Sequence, residues 1–151
     1  MFSQRIRNVM EHEHMLIASP ESLVTDAARL LAGSKLGAVL VVQGDQLAGI
    51  FTERDAVCRV LAAGLDANCT TLAHVMTPEP ITVDPEGTFG HALLLMHQHG
   101  MRHVPVVEHG RPVGLVCARD ALDPEMEEFA CEAQRREGFS DSNPVPLSAK
   151  S

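Results

Sequence analysis

The sequence predicts an α+β fold: two βαββα repeats packed about a pseudo-twofold axis, helices over one face of each small sheet, then a C-terminal helix and a flexible tail. Three observations lead there. The chain has 151 residues, 45% of them apolar, enough for an ordinary globular core. The same pattern of residues occurs twice along it. Within each copy the apolar spacing passes from helical to short β-branched runs joined by turn residues.

The repeat is read by setting 37–57, GAVLVVQGDQLAGIFTERDAV, beneath 101–122, MRHVPVVEHGRPVGLVCARDAL. Gly49, Arg54 and Asp55 then meet Gly114, Arg119 and Asp120, each 65 positions on. Pro20-Glu21 meets Pro85-Glu86 at the same offset, while Ile6 and Val9-Met10 meet Leu72 and Val75-Met76 at 66. One copy of about 60 residues is marginal for burying its own apolar surface, so the two are expected to complete each other.

In the first copy Ser19-Pro20 supplies a helix N-cap with proline in the first turn, Leu23, Ala27, Leu30 and Leu31 follow at helical spacing, and Gly33 offers a stop. Residues 37–42 are apolar throughout and read as a strand, 43–46 as a turn and 47–51 as the returning strand. Helical spacing resumes over 53–63 through Val57, Val60 and Leu61, with Gly64 beyond. The second copy repeats this through Phe89, Leu93, Met96, Gly100 and a turn at 108–111. The first repeat with its N-terminal segment is expected over 1–65 and the second over 66–123. Asp123-Pro124 opens an acidic helix, 124–138, with an apolar stripe of Leu122, Met126, Phe129 and Ala133; 139–151, rich in Ser, Pro, Asn and Asp, is expected as a mobile tail.

Twelve Lys and Arg against twenty Asp and Glu leave a net charge of −8, without the positive field that duplex phosphates require. No nucleic-acid partner is expected. No apolar run reaches the roughly 18 residues of a membrane span or the pattern of a signal peptide, so no membrane partner and a cytoplasmic location are expected. Cys58, Cys69, Cys117 and Cys131 form no CxxC pair and read as free thiols of a reducing compartment.

The segment Gly49-Ile50-Phe51-Thr52-Glu53-Arg54-Asp55 runs a strand straight into a helix. Thr52 and Asp55 have the spacing of a capping box, a purely structural role. The same geometry suits a ligand: the helix start attracts phosphate, Thr52 donates to it, Arg54 adds charge and Asp55 accepts from a ribose diol. The second copy, Gly114-Leu115-Val116-Cys117-Ala118-Arg119-Asp120, keeps the glycine, arginine and aspartate but puts cysteine where the hydroxyl belongs.

Two copies, each with Val-Met at its entrance, a Val-Pro-Val-Val-like strand and a glycine followed by Thr-x-x-Asp or its variant, resemble a tandem cystathionine beta-synthase (CBS) domain pair, or Bateman module, over about 5–122. The resemblance implies a non-enzymatic, stand-alone regulatory module, a homodimer, that binds an adenosine-containing ligand (AMP, ADP, ATP, NAD(H) or S-adenosylmethionine) between its repeats and signals to another protein. Carried over by position, Thr52, Arg54 and Asp55 hold phosphate and ribose, with apolar walls from Val9, Met10, Ala38 and Leu40. In the other cleft stand Arg119 and Asp120, with His103, Val104 and Pro105 on the strand and Met76, Thr77 and Pro78 at the entrance. Cys117 departs from the family's Ser or Thr and weakens that second cleft for a phosphorylated ligand.

Two other classes remain open at this point. One is a purely structural dimerisation module in which Thr52 and Asp55 only cap. The other is a metal-binding or thiol-dependent enzyme built on His12, His14, His91, His97, His99, His103 and His109 or on a cysteine; the histidines lack a helical i, i+4 pair, and a solvated surface is preferred for them. Cys117, expected at a helix start, is the thiol whose pKa such a position lowers.

Overall fold

Each copy folds as strand, helix, hairpin and helical segment, in the order its apolar spacing predicts. The computed structural model describes residues 2–121, so the helix and tail expected over 124–151 lie outside the described residues. The first copy comprises β1 (Ile17–Ala18), α1 (Val24–Ala32), β2 (Ala38–Gln43), β3 (Gln46–Thr52) and α2 (Glu53–Asp55), which continues as a π-helical segment, Ala56–Leu61. The second comprises α3 (Leu72–Val75), β4 (Thr77–Pro78), α4 (Phe89–His99), β5 (His103–Glu108), β6 (Arg111–Cys117) and a 3-10 turn, Ala118–Ala121. A further 3-10 turn, Ile6–Asn8, opens the chain.

Away from their hairpin ends the strands are apolar because they are buried there on both sides. Val39, Val41 and Phe51 point into a core with Val24, Ala27 and Leu31 of α1, while the alternating Ala38, Leu40 and Ile50 meet Leu115 and Cys117 of β6. This second set joins the two sheets face to face. Both hairpins are antiparallel and carry a register shift at equivalent places, Val41/Val42 and Val106/Val107.

The entrances are exchanged between the repeats. Leu72 and Val75 pack into the first core, and Ile6 packs with Phe89, Ala92, Val104 and Val116 in the second. The backbone follows the same rule with the same spacing: Leu72 N–H donates to Ser22 O at 2.8 Å, as Ile6 N–H donates to Gly87 O at 2.9 Å. β4 pairs with β3, and Glu11 forms the matching bridge to Leu115.

Two local expectations are corrected. α1 starts at Val24, not after Ser19-Pro20, which forms a turn instead. Its N-cap is Leu23, with no side-chain cap, because the first helical N–H groups are taken by the exchanged entrance: Val24 donates to Thr70 O and Thr25 to Ala67 O. The helix expected over 53–63 widens after Asp55, with Ala62 N–H reaching Val57 O at 2.8 Å. Val60 is then the residue inserted into the core, and Val57 and Leu61, expected on the buried stripe, are 56% and 72% exposed.

Candidate functional site

The turn from β3 into α2 is closed by its own side chains. Thr52 Oγ1 accepts from Asp55 N–H at 3.2 Å, and Asp55 Oδ2 accepts from Thr52 N–H at 2.9 Å, so the capping box is complete. Glu53 N–H is held by Gly37 O at 3.1 Å. Among the described residues Asp55 Oδ1 is left with only an ion pair, 3.6 Å from Arg59 Nε. The Thr52 hydroxyl proton is likewise uncommitted to the box, where its oxygen serves as acceptor.

This turn forms one end of a cleft of about 700 Å³. Arg102 and His103 at the start of β5 also line it, and Ile50, Ile81 and Met101 supply apolar walls. The exchanged entrance places Thr77, Pro80 and Ile81 beside the first repeat's sheet, because β4 is its fourth strand; Glu79, in the left-handed region with φ 45°, turns the chain between them. Gly37 is a point of close approach: a Cβ there would lie 3.1 Å from the His103 ring. Burial pushes the His103 pKa down, with Arg119 and Arg102 adding to the effect and Glu53 opposing it.

Of the residues expected at a site, Thr52, Arg54, Asp55, Thr77, His103 and Pro105 line this cleft together. Ala38, Leu40 and Val104 lie in the buried cores, at 0%, 1% and 0% exposure. Val9 and Met10 pack against the second repeat, since their entrance is exchanged. Met76 lies beside Gly49, and Pro78 pairs with Gly49 in the sheet. Arg119 and Asp120 sit in the 3-10 turn after β6.

Sequence reading missed Arg59. Its guanidinium donates to the carbonyls of Val75 at 3.2 Å and Met76 at 3.1 Å while facing Asp55. The i, i+4 spacing from Asp55 was its signal, and the equivalent position in the second copy is Pro124.

The equivalent place in the second repeat has opposite chemistry. Asp120 Oδ2 accepts from Cys117 N–H at 2.9 Å, and Glu11, bridged to Leu115, takes the position that Thr77 holds against Ile50. Burial raises the Asp120 pKa, the Cys117 N–H and Arg119 oppose this, and Glu11 adds to it. Two neighbouring carboxylates disfavour a phosphate there. The Cys117 thiol is pushed up to about 11 by burial first and by Asp120 next, so the lowered pKa expected from its helix-start position is corrected. Among the described residues no group of three or more His, Cys, Asp or Glu is set to hold a metal ion, and no helix is long and apolar enough to cross a membrane.

Two βαββα units with exchanged entrances and a mixed polar and apolar cleft at their junction define a tandem-repeat module. The chain belongs to the CBS domain family, whose profile matches residues 6–61 and 72–125. The meiotically up-regulated gene 70 protein of Schizosaccharomyces pombe is 45% identical over 95 residues, covering 62% of this chain and 13% of that protein. The mitochondrial CBS domain-containing protein CBSX3 of Arabidopsis thaliana is 33% identical over 129 residues, covering 82% of this chain and 63% of that protein. The chain thus spans less than two thirds of either relative. A CBS domain protein from Pyrobaculum aerophilum, solved in complex with AMP, shares the fold with a TM-score of 0.73 at 22% identity, over 85% of this chain and 99% of that one.

Proposed function

We propose that the chain is a regulatory CBS pair, not an enzyme, that binds an adenosine-containing nucleotide in the cleft of Thr52 and Asp55 and signals to a partner protein by conformational change. The carrying observation is the cleft itself: hydroxyl, carboxylate and arginine from the Thr52 turn, Arg102 and His103 from the start of β5, and apolar walls, in a volume of about 700 Å³ that suits a small ligand. Asp55 Oδ1 receives the ribose diol, the Thr52 hydroxyl and Arg54 receive phosphate, and Ile81 and Met101 flank the base. The AMP complex of the Pyrobaculum aerophilum protein supports this class of ligand. A ligand touching both repeats biases their relative positions by its differential affinity, which is what a partner would read. The exposed thiols Cys58 and Cys69 support a reducing, cytoplasmic setting.

The test is a thermal-shift screen with AMP, ADP, ATP, NAD(H) and S-adenosylmethionine, followed by calorimetry on Asp55→Asn. Each variant is referred to its own ligand-free melting point, because Asp55 also caps. A ligand at about 100 times its Kd should stabilise the folded state by about 2.7 kcal/mol. No shift with any ligand, or a shift unchanged in Asp55→Asn, overturns the site.

A second reading is a structural dimerisation module. Exposed Val57 and Leu61 on the helical segment after Asp55 favour pairing of two copies, and the capping box is satisfied without a ligand. Sedimentation of Leu61→Lys as monomer, with the unmodified chain as dimer, would support this interface.

A further inference from the structure

We infer that Arg59 is a positioning residue that couples the Asp55 carboxylate to the exchanged entrance of the second repeat. Three contacts carry this. Nη1 donates to Val75 O at 3.2 Å and Met76 O at 3.1 Å, the last residue of α3 and the first beyond it. Nε faces Asp55 Oδ1 at 3.6 Å, the carboxylate oxygen that the capping box leaves unused. One guanidinium therefore fixes two walls of the cleft at once: the α2 turn, and the strand that carries Thr77. Its planar fork serves both ends, which a single ammonium does only one at a time.

The distances assign a direction to the coupling. At 3.6 Å the Nε contact is an ion pair that leaves the Oδ1 lone pairs open to a hydroxyl, whereas the two carbonyl bonds are of hydrogen-bond length. Arg59 is thus anchored to the entrance and aims charge at Asp55. A shift of Val75-Met76 carries the guanidinium away from the carboxylate, and a ligand that engages Oδ1 is sensitive to where the second repeat enters. The second copy offers no equivalent, with proline at the corresponding position 124.

The inference rests on the nucleotide reading for its functional meaning, so its test has one arm that does not use nucleotide. In the ligand-free protein, Arg59→Gln is expected to raise amide hydrogen exchange together at 52–55 and 75–79, with Arg59→Lys intermediate. A rise in only one of the two segments, or in neither, overturns the coupling even if nucleotide binds. In the second arm, AMP binding is measured by calorimetry for Arg59→Gln, Asp55→Asn and the double variant. Arg59→Gln is expected to weaken AMP by about tenfold, the weight of one hydrogen-bonded charge, and to add little once Asp55 is Asn. Losses that multiply in the double variant place Arg59 on the ligand directly and overturn the positioning role. Absence of AMP binding by the unmodified chain, with exchange coupled in the first arm, leaves the coupling standing and removes AMP as the ligand.

Discussion

Asp120 accepts the backbone N–H of Cys117 at 2.9 Å although Cys117 has no hydroxyl to offer in return. The aspartate alone thus closes the strand-to-helix turn, and the first repeat adds Thr52 to an arrangement the second does without. Asp55 and Asp120 have one structural duty in common. They differ in surroundings: Asp55 faces Arg59, and Asp120 has its pKa raised by burial first, with Glu11 adding to it.

The box has a measurable weight. Thr52→Ala is expected to lower stability in urea unfolding by about 1 kcal/mol without changing the slope, and Cys117→Thr to raise it by about 0.5 kcal/mol as the missing half is supplied. A neutral Thr52→Ala would show that Asp55 closes the first turn unaided.

Gly49 and Gly114 hold the entrances against the sheets. A Cβ at Gly49 would lie 2.6 Å from Met76 Sδ and 2.8 Å from Thr77 O; at Gly114 it would likewise meet Met10 Sδ, and the nearest backbone atom, Glu11 O, is 3.1 Å away. Gly49→Ala is expected to cost about 2 kcal/mol through overpacking, and Gly114→Ala somewhat less, since backbone yields less readily than a methionine tip. Equal, negligible losses by thermal unfolding would mean that both entrances give way freely.

Cys117 is buried, with its thiol pushed up to about 11, whereas Cys58 is exposed. Iodoacetamide at pH 7.5 is expected to modify Cys58 in the folded protein and Cys117 only on unfolding, read by peptide mass mapping. Fast labelling of Cys117 in the folded state would contradict the burial argument.

Acid acts on two groups in separate windows. Burial holds His103 below its ordinary 6.5, so as pH falls through 6.5 the unfolded chain takes a proton that the folded chain refuses, and stability declines. His103→Gln is expected to remove that decline. Glu11 is held below its ordinary 4.5, chiefly by the His14 N–H, so its contribution is present above 4.5 and disappears as pH falls through its folded value. Urea midpoints from pH 7.5 to about 3 for the unmodified chain, His103→Gln and Glu11→Gln separate the two; a His103→Gln profile parallel to the unmodified one would refute the first.

The repeat, the hairpins and the Thr52 turn were legible because each is written in local order: apolar runs, turn residues, a hydroxyl three residues before an acid. What was not legible depends on the other repeat. Ser19-Pro20 reads as a helix start, but backbone carbonyls from 67 and 70 cap α1 instead and move its beginning to Val24. Val9 and Met10 are assigned by carried-over position as walls of the Thr52 cleft, while the exchange puts Thr77 and Ile81 there. Arg59 acquires its place only with the carbonyls of Val75 and Met76 around it.

The exchanged entrances also set an order of events during synthesis. The first core can close once Leu72 and Val75 have left the ribosome, before half the chain's second unit exists. Ile6 is made well before Phe89, Val104 and Val116, the residues that bury it. The ion pair of Arg7 with Glu86, 79 positions apart, belongs to that late closure. The nascent chain therefore carries an unburied segment around Ile6 until its second sheet is made.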